Sequence, residues 1–188
     1  MKYIKLIAIS FWIFGCSSDY LPKPKGYNRI PLPEVAYQVL PDTFPYTFEY
    51  SKHAKLLRDS SWISERYWIN LYYPYMDASI QITYKPVTDS IIREYLSDSY
   101  RLTSQHNVKA YAIEESIIEL PNGLFASFTE LEGEVPTQAQ FHVSDSVNHF
   151  LRGALYFKTA TKNDSLAPVI DYLKSDILHT LTTLEWVE

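Results

Sequence analysis

A chain of 188 residues, 46% of them hydrophobic, is long enough for one domain with a sizeable core. Its 17 basic and 22 acidic residues leave a formal charge of −5, which argues against nucleic acid or an anionic lipid surface as the main partner. A single cysteine excludes an internal disulfide, so the fold stands on its core alone.

The N-terminus has the layout of a secretory signal. Lys2 and Lys5 precede an apolar run from Leu6 to Phe14, and Gly15 precedes Cys16. That run is roughly half of the ~20 residues a membrane-spanning helix needs. Ile13-Phe14-Gly15-Cys16 resembles a bacterial lipobox, in which Cys16 is acylated and becomes the new N-terminus. A lone cysteine standing where lipidation requires one makes residues 1–15 a lipoprotein signal peptide. Loss of Lys2 and Lys5 takes the formal charge from −5 to −7. Lipidation also consumes the only thiolate, so no metal site can be built on sulphur. Acyl chains anchor through ~0.8 kcal/mol per buried methylene. The only non-protein group expected is this covalent lipid on Cys16.

Residues 16–42 follow as an extended tether. Pro22, Pro24, Pro31, Pro33 and Pro41 each fix φ and push the preceding residue toward extended geometry, and no apolar period runs through the segment. It either spaces the domain from the membrane or carries a docking segment; Tyr20, Lys23 and Lys25 are the residues that would dock.

Residues 43–188 read as a single domain. Phe44 to Tyr50 alternates with Tyr46, Phe48 and Tyr50 on one face. Tyr67 to Tyr73 places Ile69, Leu71 and Tyr73 on one side, and Ser79 to Lys85 turns Ile80, Ile82 and Tyr84 inward. This is the period of half-buried antiparallel strands. After Pro86 the period becomes helical through Ile91, Ile92, Tyr95, Leu96 and Leu102, with Asp89 as the expected N-cap. Strands resume over Val108 to Glu119 and Leu124 to Leu131, joined at Pro121-Asn122-Gly123. Gln138 to Val143 and Phe150 to Phe157 follow. A long helix closes the chain, with Leu166, Val169, Ile170, Leu173, Ile177, Leu178, Leu181 and Leu184 on one face. Asn163 or Asp164 would cap it and Pro168 would fall in its first turn. The pattern predicts an α+β domain, an antiparallel β-sheet with a mid-chain helix and a long C-terminal helix packed on it. The element order resembles that of PsbP/Mog1-like domains.

No catalytic or metal-ligating constellation emerges. The five histidines lack helical metal spacing, no serine sits in a nucleophile elbow, and five glycines include no phosphate loop. His142 and His149 flank a turn with Asp145 between them, a pattern that a surface hairpin explains. Glu114 and Glu115 are adjacent, so a strand points them to opposite faces. Sixteen tyrosines, nine phenylalanines and four tryptophans are the conspicuous feature. Trp62, Tyr67, Trp68, Tyr72, Tyr73 and Tyr75 cluster around one hairpin, either packing the sheet under the tether or forming a protein or glycan surface. Trp68, Tyr72 and Tyr75 are therefore candidate partner-binding residues.

Five ordered segments resemble the gliding-motility lipoprotein GldD family of Bacteroidota. They are Tyr20-Leu21-Pro22-Lys23-Pro24-Lys25-Gly26, Pro45-Tyr46-Thr47-Phe48-Glu49, Ile82-Thr83-Tyr84-Lys85, Phe150-Leu151-Arg152-Gly153-Ala154-Leu155-Tyr156-Phe157 and Asp164-Ser165-Leu166-Ala167-Pro168-Val169-Ile170. The resemblance implies an envelope lipoprotein required for gliding and for the linked type IX secretion machinery, with no catalytic residues. Its expected partners are other envelope proteins and, through the lipid, a bacterial membrane, with the domain facing the periplasm. A peptidoglycan- or glycan-binding module is the alternative. Within the fourth segment, Arg152-Gly153 interrupts an apolar strand. This points to a buried pair with Glu49 or Asp145 and a close backbone approach, or to a partner contact. Asp89-Ser90-Ile91, Asp145-Ser146-Val147 and Asp164-Ser165-Leu166 resemble the O-glycosylation signal of this phylum, and two of them also suit helix starts.

Overall fold

The computed structural model describes residues 30–88, 91–158 and 163–187. In chain order the elements are β1 (Tyr37–Val39), β2 (Tyr46–Thr47), β3 (Glu49–Ser51), β4 (Lys55–Arg58), β5 (Ile69–Tyr73) and β6 (Ala78–Pro86). Then come α1 (Ile92–Ser104), a 3₁₀ turn (Gln105–Val108), β7 (Ala110–Glu119), β8 (Phe125–Gly133), β9 (Thr137–Ser144), β10 (His149–Phe157), α2 (Asn163–Thr182) and β11 (Glu185–Trp186). Seven strands form one antiparallel sheet in the order β4-β5-β6-β10-β9-β8-β7. Two short ribbons, β1 with β3 and β2 with β11, close over it.

Strand alternation decides which side of the sheet becomes the core. Ile69, Leu71 and Tyr73, then Ile80, Ile82 and Tyr84, then Phe141, Leu151 and Leu155 all project to one face. There they meet Val169, Leu173, Ile177 and Leu181 of α2, the helical stripe seen in the sequence. Each such side chain contributes roughly 1.5–3 kcal/mol on burial. The opposite face carries α1, so the expected α+β architecture is the one observed.

Several local expectations change. The strand read over 44–50 breaks at Phe48: Tyr46 and Thr47 pair with β11, whereas Glu49–Ser51 pair with β1. Tyr46, Phe48 and Tyr50 nonetheless share a buried face. β1 lies within the stretch read as tether, and Leu40 just beyond it enters the core. α1 starts with Ile91 in the N-cap position and no side-chain cap, and Asp89 lies outside the described residues. Leu96 and Leu102 are exposed, and the residue α1 buries is Ser99. In α2, Pro168 falls inside the helix rather than in its first turn. It therefore cannot donate to the carbonyl four residues back. Leu178 points to solvent, and Asp176 and Thr180 occupy the buried face instead.

Candidate functional site

Cys16, Tyr20, Lys23 and Lys25 lie outside the described residues. The aromatic candidates are described and are put to separate uses. The Trp68 indole N–H donates to the Tyr84 carbonyl at 2.9 Å, and Lys85, ion-paired with Glu65, sits over its ring. The Tyr72 hydroxyl donates to Asp77 at 3.0 Å, and that bond raises its pKa. Tyr75, 67% exposed, borders an apolar cavity of about 430 Å³ against Pro31, Leu32, Pro33 and Met76. No ring contact joins Trp68, Tyr72 and Tyr75 among the described residues. They form no shared stacking platform.

Arg152 lies on the α1 side of the sheet and pairs with neither expected carboxylate. Its Nη2 donates to Gln140 Oε1 at 2.6 Å, while its Nε is buried without a hydrogen-bond partner among the described residues. Glu49 meets His179 instead, at 2.7 Å. Asp145 Oδ1 accepts the backbone N–H groups of Val147, Asn148 and His149 in an exposed turn that contains Ser146. Burial alone would raise the Asp145 pKa, but these N–H groups outweigh it and hold the pKa down. Arg152, by contrast, is shifted downward by burial.

Register explains the surroundings of Arg152. Thr83, Arg152, His142, Ser127 and Ile117 line up across β6, β10, β9, β8 and β7. The next row on that face runs Gln81, Ala154, Gln140, Thr129 and Glu115. The sheet thus presents a polar face to α1. Ser99 Oγ lies 3.2 Å from His142 Nδ1, and Thr103 Oγ1 donates to Gln140 Oε1 at 3.0 Å. His142 and His149 fall on opposite faces: His149 stacks on Trp186 and bonds Tyr84. Burial pushes the His142 pKa down, Arg152 adds to that, and Glu115 opposes it.

Between α1 and the β7–β8 hairpin this polar layer opens into a groove. Two cavities of about 130 and 360 Å³ share Ser127 and His142 as floor. Leu96 and Tyr100 wall one side, and Ile113, Ile117 and Phe125 the other. The Ser99–His142 pair faces the smaller cavity, but the Glu115 carboxylate accepts from Ser127 Oγ at 2.6 Å and makes no ion pair with His142. A nucleophile–base–acid relay is therefore incomplete here. Among the described residues no group of three or more His, Cys, Asp or Glu side chains is placed to hold a metal. No helix among them is long and apolar enough to cross a membrane.

The family model for the gliding motility lipoprotein GldD matches residues 17–186. The chain belongs to the GldD family. Comparison with curated proteins finds no match. Among solved structures, the cyanobacterial PsbP protein CyanoP of Synechocystis is similar at 9% identity and a TM-score of 0.48, covering 87% of this chain and 98% of that one.

Sequence reasoning missed one buried cluster of this GldD-family domain. Asp176 on α2 accepts the hydroxyls of Tyr37 and Tyr73, each at 3.0 Å. Burial raises its pKa against those hydrogen bonds, and burial likewise pushes Tyr37 up to about 12. Tyr37 also stacks on His179, so the cluster clamps β1 onto α2. The available signal was spacing: Asp176 stands three residues after Leu173 and five before Leu181, on the apolar stripe.

Proposed function

We propose that this gliding-motility-associated lipoprotein is anchored by acyl chains, palmitate among them, on Cys16 and faces the periplasm. On this reading it acts without catalysis, as an assembly or stability factor that holds another protein of the gliding and type IX secretion apparatus. The observation that supports this most is the surface left apolar around the α1 groove. Tyr100 is 72% exposed, Ile117 65% and Phe125 59%, with Leu96 and Ile113 between them. Contiguous exposed apolar residues rimmed by polar ones mark protein interfaces. Of the aromatics expected to stack on a glycan, Trp68 and Tyr72 are spent on hydrogen bonds within the domain, whereas Trp62 and Tyr75 stay exposed.

The test is crosslinking and affinity purification from native envelopes, comparing wild type with Cys16→Ala. Motility and secretion components recovered only with the anchored form support the proposal and name the partner. Peptidoglycan fragments, or no protein above background, overturn it in favour of the glycan-binding module.

A further inference from the structure

We propose that β7 is a docking edge that takes an added β-strand from a partner protein, an extended segment of apolar and basic side chains. This rests on the reading of the domain as a protein-binding module and specifies how it binds. The sheet ends on one side at β7, a strand of 10 residues whose central residues, Tyr111 to Ile117, are exposed on both faces. An edge strand presents alternate N–H and C=O groups outward, unpaired by its neighbour, and such a row is a template for another strand. From Ala112 to Glu119 the pairing with β8 is unbroken, so that template is straight. The opposite edge is built differently: β4 has four residues and carries Lys55 and Arg58. Short length and lysine or arginine side chains are among the protections of an edge; β7 is long, its charges are all acidic, and its one bulge is confined to its start.

The two faces of β7 define what would fit. On the α1 side stand Ile113, Glu115, Ile117 and Glu119, the first three lining the groove walled by Leu96 and Tyr100. An added strand with apolar residues on that side would cover the isoleucines, and basic ones would meet the glutamates. On the other side Glu114 stands directly opposite Glu130, and Ala112 opposite Glu132. Lys174 bonds Glu130, whereas none of Glu114, Glu115 and Glu119 has an ion-pair partner among the described residues. Opposite charges across a strand pair attract and like charges repel. This edge therefore admits basic residues and rejects acidic ones.

The same rule disfavours a second copy. β7 pairing with β7 sets glutamates against glutamates. β4 and β7 run in the same direction through the sheet, so joining β4 of one copy to β7 of another gives only a short parallel pairing. Parallel pairing is the weaker geometry.

The experiment uses the full-length lipoprotein in detergent micelles and a synthetic peptide of valine and lysine in equal number, matched in length to β7. Binding is followed by fluorescence anisotropy, and backbone protection by amide hydrogen exchange. The expected result is saturable binding with slowed exchange over residues 110–119 and no binding of the valine–glutamate counterpart. Ile117→Lys, at an exposed position that leaves the core intact, is expected to weaken binding on the order of tenfold. Absent binding, equal binding of both peptides, or binding without protection at 110–119 overturns the proposal. So does an edge already protected in the free protein, by dimerisation seen in sedimentation or by residues 17–29 as shown by their deletion. Envelope purification of Ile117→Lys separates this proposal from the broader one. Loss of the partner supports docking at β7; undiminished recovery refutes β7 docking and leaves the assembly role standing.

Discussion

Gly153→Ala tests the tightest packing in the sheet. Gly153 stands opposite Phe141 on one side and Ile82 on the other, in the middle of β10. A Cβ built on Gly153 falls inside contact distance of Phe141 Cζ and Cε1, closer than side-chain carbons approach, with Cε2 at 3.0 Å. The ring cannot swing clear because Phe141 is itself only 2% exposed, packed in the main cluster. Two effects compete. Alanine restricts the unfolded chain, worth about 0.4–1 kcal/mol in favour of the variant. Forcing a methyl into a filled core costs about 1–3 kcal/mol. The clash wins, and net destabilisation is expected.

A double-mutant cycle isolates the cause. Phe141→Ala alone costs about 3–5 kcal/mol through its cavity. In the pair Gly153→Ala/Phe141→Ala the methyl has nothing to strike, so the double variant is expected to be no less stable than Phe141→Ala. The coupling is then of the order of 1–3 kcal/mol, well beyond the additivity error of distant sites. Urea titration read by the fluorescence of Trp62, Trp68 and Trp186 measures it. Additive losses, or a Gly153→Ala change within about 0.5 kcal/mol of zero, would show that the ring yields and that the glycine is there for another reason.

Three further outcomes follow from the polar groups. Arg152→Met is expected to change stability by less than about 1 kcal/mol, or to raise it, because no carboxylate is stranded; a loss of about 3–5 kcal/mol in urea would reveal a counter-charge. Burial raises the Asp176 pKa, so its contribution is fully present below the unfolded value and is lost as pH rises through the folded one. Asp176→Asn should therefore gain on wild type as pH rises from about 4, and a difference that is flat or falls across this window in chemical denaturation counts against the assignment. Burial lowers the His142 pKa, so its contribution is present above about 6.5 and lost as pH falls. His142→Gln is expected to flatten that acid limb, and an unchanged limb would place the proton elsewhere.

The sheet and both helices are legible in the sequence because period two and period 3.6 each run through unbroken stretches, such as Ile80-Ile82-Tyr84 and Val169-Leu173-Ile177. Gly153 was legible as a close approach because glycine has no packing role in an apolar strand. The partner of Arg152 was not. Its surroundings depend on sheet order, which places β10 between β6 and β9 and brings Gln140 and His142 beside it. The alternation of Gln138, Gln140 and His142 marks a polar face, but not whether water or a helix covers it. The short strands β1, β4 and β11 carry too few residues to show a period, and β2 and β3 read as one run; their pairing is a tertiary result. β7 is visible as a strand, but an edge is a property of the assembled sheet.

The arrangement of the sheet explains why a partner would be met at one edge. One face is consumed by α2 and the ribbons, which enclose the apolar core. The other is partly roofed by α1, which sits on hydrogen-bonding side chains and leaves Tyr100 and Leu96 outward. The described end of the tether meets the domain by the β5–β6 turn, where Pro31 to Pro33 lie near Tyr75 and Met76. From β6 the sheet continues through β10, β9 and β8 before reaching β7. At strand spacings of 4.7–4.9 Å, that separation is about 19 Å. The described end of the tether and the docking edge are therefore separated by four strand spacings. The clamp of Tyr37 on Asp176 ties the chain leading into the domain to α2, on the opposite face of the sheet from α1.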